Sequence, residues 1–138
     1  MKIFKLILTF LFGAFMIMGG INHFLKPAMF FPFIPDLLPK EAVNYIAGIL
    51  EIVVGVGVFI PAFRTWATLG ILGLMIVFLP LHIMDFFSET PAIGSHQLAV
   101  IRLPIQFVLI LWAWYIYSFS KENALKTDII YEKDELNR

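Results

Sequence analysis

The stretch "GGINHFLKPAMFFPFIPDLLP", residues 19–39, decides how many times the chain can cross a membrane. It places Asn22 and His23 at the end of a long apolar run and follows them with prolines at 27, 32, 35 and 39. Proline lacks an amide hydrogen and disfavours a helix before it, so Pro27 ends the first helix and the later prolines prevent a further span. The residues between the prolines are too apolar for a solvated loop. We therefore expect this Pro-aromatic segment, 27–39, to be an outer lid over a cavity that His23 lines.

The composition of the whole chain is that of a membrane protein. Hydrophobic residues make up 60% of the sequence and charged residues 14%, with a mean hydropathy of +0.88. Soluble domains are about half apolar and about a quarter charged. A bilayer core of about 30 Å needs roughly 20 apolar residues for each helical crossing, and four segments meet this need. The sequence predicts an all-α, membrane-embedded four-helix bundle over residues 1–118, with spans at 3–24, 42–60, 66–84 and 98–118, and a polar cytoplasmic tail over 119–138.

The positions of the basic residues predict the orientation. If the N-terminus is cytoplasmic, most basic side chains outside the spans fall on the cytoplasmic side, and only two fall in the outer loops. The cytoplasmic group consists of Lys2, Lys5, Arg64, Lys121, Lys126, Lys133 and Arg138, and the outer group of Lys26 and Lys40. Both termini are therefore expected in the cytoplasm. The net charge of zero gives no sign of a nucleic-acid partner.

In this topology, the polar residues of the spans gather in the outer half of the membrane. The candidates for ligand binding or a proton route are Asn22, His23, Glu51, His82, Asp85, Arg102 and Gln106. His82 and Asp85 are spaced i, i+3, and Arg102 and Gln106 are spaced i, i+4, so each couple shares a helix face. No catalytic residue is assigned.

Glu51 is the deepest of these candidates. Gly48 and Gly55 flank it, and small residues mark helix faces that pack against other helices in lipid. Glu51 should therefore point inward, where Arg102 enters from the same side and is expected to pair with it. Two interpretations stay open: a pair that only fixes helix packing, and a functional polar site, which is the default for ionisable groups in a membrane. For His23 the alternative is a side chain that merely caps its helix end.

Several kinds of chemistry lack a basis in this sequence. The chain has no cysteine, so it cannot exchange disulfides or hold an iron–sulfur cluster through thiolates. Nucleotide-binding glycine motifs and the GxSxG nucleophile motif are missing. A haem between two histidines, or a metal held by His23, His82, Glu51 and Asp85, is disfavoured because no motif spacing supports either.

Five stretches together resemble one family. "GINHFLKP", "FIPDLLP", "GILEIVVGVGVFIP", "FLPLHIMD" and "IRLPIQF" look like the DoxX family of small four-helix bacterial membrane proteins, over residues from about 10 to 115. The resemblance implies a multi-pass protein of the bacterial cytoplasmic (inner) membrane with a redox association and a soluble or membrane redox partner protein. It brings no set of catalytic residues. Asn can stand in the family where His82 stands here, which argues against a metal-ligand role for His82.

Two function classes follow from these observations. The first is a redox-associated subunit that binds a quinone-like or other small apolar molecule in the outer half of the bundle. In the second, the same polar cluster belongs to a non-enzymatic small-molecule binder, a transporter or an assembly subunit of a membrane complex. The sequence leaves open whether the protein has an activity of its own.

Overall fold

The computed structural model describes residues 2–136, without the side chains at 128 and 131, and the described chain is helical without strands. Its four α-helices are α1 (Lys2–Leu25), α2 (Lys40–Gly57), α3 (Arg64–Phe87) and α4 (His96–Leu136). Two short 3-10 helices, Pro27–Met29 and Phe31–Phe33, lie between α1 and α2. The all-α prediction is confirmed.

Three of the α-helices, α1, α3 and α4, are long and apolar enough to cross a membrane. The helix that covers most of the predicted span 42–60 is α2, which has 18 residues and carries Lys40, Glu41 and Glu51. Its crossing of a membrane stays a prediction. The predicted span 98–118 is part of a longer helix, because α4 continues to Leu136. No proline or glycine follows Pro104 to stop it.

Glycines set the distance between α1 and α2. These helices run antiparallel, with Gly13 opposite Gly55 and Gly20 opposite Gly48. A Cβ atom on Gly20 would lie 2.6 Å from the backbone oxygen of Gly48, and one on Gly55 would lie 2.8 Å from that of Gly13. Side chains at these positions would push the backbones apart, so the glycines permit the close approach. The same register brings the end of α1, with His23, to the first turns of α2.

The other half of the molecule consists of α3 and α4, which also pack antiparallel and meet the first pair through α2 and α1. The hydrophobic core lies towards the end where α1 and α3 begin. Phe12 of α1 stacks on Trp112 of α4 there, with ring centroids 4.6 Å apart. The core residues are Phe12, Met16, Val58, Ala67, Ile71, Met75, Ala113 and Ile116.

The surface of the molecule is apolar, and the interior contains polar groups beside the hydrophobic core. Large apolar side chains are exposed along every α-helix, for example Ile3, Val53, Val77 and Leu111. The buried polar or charged residues of the described chain are Thr9, His23, Asn44, Glu51, Thr68, His82, Asp85, Gln106 and Ser120. An apolar exterior, with the polar groups turned inward, is the arrangement that a hydrocarbon solvent favours.

Candidate functional site

Two adjoining cavities lie between the helices at the end where α1 finishes and α2 begins. Their volumes are about 130 and 250 Å³. The lining residues common to both are Phe30, Glu51, Phe78, His82 and Arg102. We call the two together the polar chamber, because aromatic walls enclose a few ionisable groups. Such a combination is typical of sites for small apolar ligands with one or two polar atoms.

His23 is held in one orientation by Asn44. The side-chain amide nitrogen of Asn44 donates to the backbone carbonyl of His23 at 2.8 Å. Because a carbonyl can only accept, this bond fixes which way the amide faces. The amide oxygen of Asn44 therefore lies 2.7 Å from Nδ1 of His23 as an acceptor. It follows that Nδ1 carries a proton and that Nε2 is the variable nitrogen of this ring.

Nε2 of His23 faces Glu51, with 3.5 Å between Nε2 and Oε1. When the two side chains together carry no net charge, they share one proton in addition to the proton on Nδ1. That proton either makes His23 a cation beside a carboxylate or makes Glu51 an uncharged acid beside a neutral ring. Both groups are buried, and burial penalises a net charge. If this neutral pair gains or loses a proton, it acquires a net charge. A ligand in the chamber can stabilise that charged state.

The carboxylate of Glu51 fits against a glycine of α1. A Cβ atom on Gly19 would lie 2.6 Å from Oε2 of Glu51. Because Gly19 has no side chain, it leaves space for the Glu51 carboxylate against α1.

Arg102 is the unpartnered cation of the chamber. Its guanidinium lies over the ring of Phe33, 4.1 Å from the centroid. Within residues 2–136 it makes no hydrogen bond and no ion pair, and its Nη1 atom is buried. A guanidinium has five N–H donors and no acceptor. An oxygen atom of a ligand would satisfy these donors.

His82 lies beside Arg102 in both cavities. It is 7% exposed, and its Nδ1 atom has no partner in the described chain. Gln106 lines the larger cavity and donates to the backbone oxygen of Met75 at 2.6 Å, which ties α4 to α3.

Asp85 and Asn22 lie outside the chamber lining, although Asp85 is near enough for its charge to act on Arg102 and His82. Asp85 accepts a hydrogen bond from the amide of Ala92 and so fixes the α3–α4 connection. It lines a separate surface cleft of about 210 Å³, which we call the Asp85 cleft. Asn22 is half-buried and lines neither cavity of the chamber.

The Pro-aromatic segment covers the chamber from the side of the α1–α2 connection. Phe30 stacks on the His23 ring with 3.7 Å between centroids, Phe33 covers Arg102, and Ile34 is buried. Farther along, Asp36 accepts a hydrogen bond from Lys40, and this bond and the lysine charge hold the pKa of the Asp36 carboxyl below its usual value. Phe33, Ile34 and Leu81 line both the chamber and the Asp85 cleft. They separate the interior from the surface.

The sequence correctly placed Glu51 inside but gave it the wrong partner. The predicted pair of Glu51 and Arg102 is wrong, because the ionisable group that lies against Glu51 is His23, 3.5 Å away. The register of α1 and α2 brings the histidine to the carboxylate, whereas the Arg102 side chain bends towards Phe33 in the Pro-aromatic segment.

Asn44 is the site residue that sequence reasoning missed. It is fully buried and orients His23. The signal was its spacing along α2. The buried face of this helix consists of Asn44, Gly48, Glu51 and Gly55, which are separated by four, three and four residues.

Among residues 2–136 no group of three or more His, Asp or Glu side chains is arranged to hold a metal ion. The chamber contains a guanidinium with unused donors, a histidine that faces a carboxyl group, and aromatic faces. These groups suit a flat ring that carries an acceptor oxygen.

Comparison with known proteins gives a family without an assigned role. Residues 12–117 match the model of a family described as "Domain of unknown function (DUF8561)", and since this is most of the chain, the protein belongs to that family. No curated protein and no solved structure matches the chain.

Proposed function

We propose that this protein is a redox-associated membrane subunit that binds a quinone-like molecule in the polar chamber. The three helices that can cross a membrane and the apolar surface support a location in the bilayer. The resemblance to the DoxX family motivates the redox association and the bacterial inner membrane. A quinone dissolves in the bilayer, so it reaches the chamber without leaving the lipid.

The observation that carries the proposal is the guanidinium of Arg102, which lies over the Phe33 ring and has no hydrogen-bond partner in the described chain. A desolvated cation that lacks acceptors is costly, and it persists where an oxygen of a ligand completes its hydrogen bonds. The ring of a quinone stacks on Phe30 or Phe33, and one carbonyl oxygen accepts from Arg102. His82, with its free ring nitrogen, lies close enough to share this task.

The His23–Glu51 pair supplies the proton chemistry in this proposal. Reduction of a quinone to a quinol takes up two electrons and two protons. In this proposal the electrons come from a partner redox protein of the kind that the resemblance suggests. Protons reach a carbonyl oxygen through the His23–Glu51 pair, which Asn44 and Gly19 hold in position.

The test measures direct binding of a short-chain benzoquinone to the purified protein through the quenching of its tryptophan fluorescence. We expect saturable quenching that Arg102→Gln weakens by about tenfold or more, because the variant loses a charge-assisted hydrogen bond. Lys121→Gln removes the same charge from an exposed position outside the chamber and should bind as the unaltered protein does. Equal affinity of the Arg102→Gln variant would place the quinone elsewhere and sink the proposal.

A non-enzymatic binder, transporter or assembly subunit is the second candidate. The position of the Asp85 cleft favours it, because Phe33, Ile34 and Leu81 line both this cleft and the chamber, so a solute at the surface would be close to the interior. An aryl ketone discriminates the two, since it has the acceptor oxygen but does not undergo quinone reduction. If the ketone binds as tightly as the benzoquinone and no quinone co-purifies with the protein, the second candidate is favoured.

The proposal includes a four-helix bundle in which α2 also crosses the bilayer and both termini are cytoplasmic. The chain has no cysteine, so single cysteines report the orientation cleanly. Gln97 and Lys126 are exposed and lie at opposite ends of the predicted fourth span. In intact cells an impermeant maleimide should label the Gln97→Cys variant and leave Lys126→Cys unlabelled. The reverse pattern would invert the topology.

A further inference from the structure

A cavity that opens to the surface lies at the opposite end of the molecule, where α3 begins and α4 leaves the packed helices. Its volume is about 380 Å³. Its polar lining consists of Arg64, Thr65, Ser120, Asn123 and Thr127. We call it the Arg64 cavity. It shares no lining residue with the polar chamber.

Two side chains of the Arg64 cavity have hydrogen-bonding capacity that the described chain does not use. Arg64 donates through Nε to the backbone oxygen of Val58 at 2.8 Å, and among the groups that the structure describes, its terminal amino groups have no acceptor. Ser120 is 4% exposed, and its hydroxyl has no partner in the same range. A buried hydroxyl without a partner is uncommon and needs an explanation.

The start of α3 adds further donors. Its N-cap residue, Phe63, provides no side-chain hydrogen bond, so the first amides of the helix lack a capping acceptor. The hydroxyl of Thr65 donates to the backbone oxygen of Ser120 at 3.3 Å and holds this helix end against α4. The positive end of the helix dipole therefore lies beside the guanidinium.

The charge among the described lining side chains of the Arg64 cavity is that of Arg64. Glu122 lies farther out, where it pairs with Lys126 and also feels the charge of Lys5. Lys5 lies nearby, 5.4 Å from the ring centroid of Phe119, which lines the cavity. The apolar part of the lining, for example Leu6, faces the same space. A ligand for this site is an anion with several acceptor oxygens and, on one side, room for hydrocarbon.

We infer that the Arg64 cavity binds a phosphate group through Arg64, Ser120 and the first amides of α3. A phosphate offers enough oxygens for a guanidinium, a hydroxyl and backbone amides together, which a single carbonyl does not. The source is either the headgroup of an anionic phospholipid at the membrane surface or a free phosphate. The inference is independent of quinone binding, since a different end of the molecule carries it.

The experiment uses the full-length protein, delipidated in an uncharged detergent. Its thermal unfolding midpoint is measured against short-chain phosphatidylglycerol and, separately, inorganic phosphate. We expect the midpoint to rise with saturation, and Arg64→Gln to weaken the apparent affinity about tenfold. Ser120→Ala should weaken it between about twofold and tenfold, the effect of one hydrogen bond. Lys121→Gln, a loss of the same charge at a neighbouring exposed position, should change it by less than about twofold.

The outcomes separate the sources and the alternatives. Saturation by the lipid alone identifies a headgroup site, and saturation by inorganic phosphate at similar concentration identifies a free-phosphate site. Equal losses in Arg64→Gln and Lys121→Gln would mean that the lipid responds to overall charge and would overturn the inference. If Arg64→Gln does not fold, the inference is tested by Ser120→Ala. An affinity of Ser120→Ala equal to that of the unaltered protein would then reject the site.

Discussion

The two helix pairs treat their buried polar groups differently. Between α1 and α2, Asn44 forms two hydrogen bonds with His23, whose ring faces Glu51 within a tightly packed interface. On the side of α3 and α4, Arg102 has no acceptor in the described chain, and one ring nitrogen of His82 has no partner there. The polar groups of the first pair contact one another, whereas those of the second have hydrogen-bonding capacity left for a ligand. The difference teaches that a polar interior can contain a rigid half, which orients groups, and an open half, which receives a molecule.

The largest effect should come from separating α1 and α2. Gly20→Val places side-chain atoms where Gly48 already has its backbone oxygen, so the free energy of unfolding should fall by about 3 kcal/mol or more. Thermal unfolding in detergent measures it. Gly73→Val is the matched control, because nothing lies within 4 Å of a Cβ atom at Gly73. Equal losses in both variants would show that the glycine contact does not hold the rigid half together.

The next effect concerns the residue that orients His23. Asn44→Ala removes two hydrogen bonds and leaves Nδ1 and the carbonyl of His23 buried without partners, so it should cost about 2 kcal/mol. Asn22→Ala changes the same residue type at a half-buried position outside the chamber and should cost less than about 0.5 kcal/mol. If the two substitutions cost the same, Asn44 is not the residue that fixes the ring.

A double-mutant cycle tests which partner Glu51 has. His23→Gln and Glu51→Gln should be coupled by about 1 kcal/mol in the free energy of unfolding, because the two side chains are in contact. The coupling between Glu51→Gln and Arg102→Gln should be smaller. A larger coupling for the second pair would restore the direct Glu51–Arg102 pair that the sequence predicted.

The smallest effect should come from the open half. Without bound ligand, Arg102→Gln should change the free energy of unfolding by less than about 0.5 kcal/mol, since the loss of its contact with Phe33 is offset by removal of a desolvated charge. Arg64→Gln is the comparison and should cost about 1 kcal/mol, because it loses a hydrogen bond to Val58. A strong destabilisation by Arg102→Gln in the ligand-free protein would mean that Arg102 supports the fold and is not held ready for a ligand.

The sequence predicted the elements of the fold better than the contacts of the site. Long apolar runs and prolines are local signals, so the helices appear close to their predicted positions, although α4 is longer because no residue stops it. The cluster of polar residues was also partly predictable. His23, Glu51, His82 and Arg102 all line the chamber, since their positions along each helix place them at one end of the molecule.

The sequence by itself determined that the chain is helical and apolar outside, because composition and hydrophobic run length depend only on the residues and their solvent. The tertiary structure decided the partners. His23 meets Glu51 because the glycines of α1 and α2 fix how far one helix slides along the other, and a shift of one turn would separate the two. Arg102 stays unpaired because its long side chain bends towards Phe33 in the segment that covers the chamber. Register and side-chain direction depend on the packing of distant segments, which spacing along one helix does not specify.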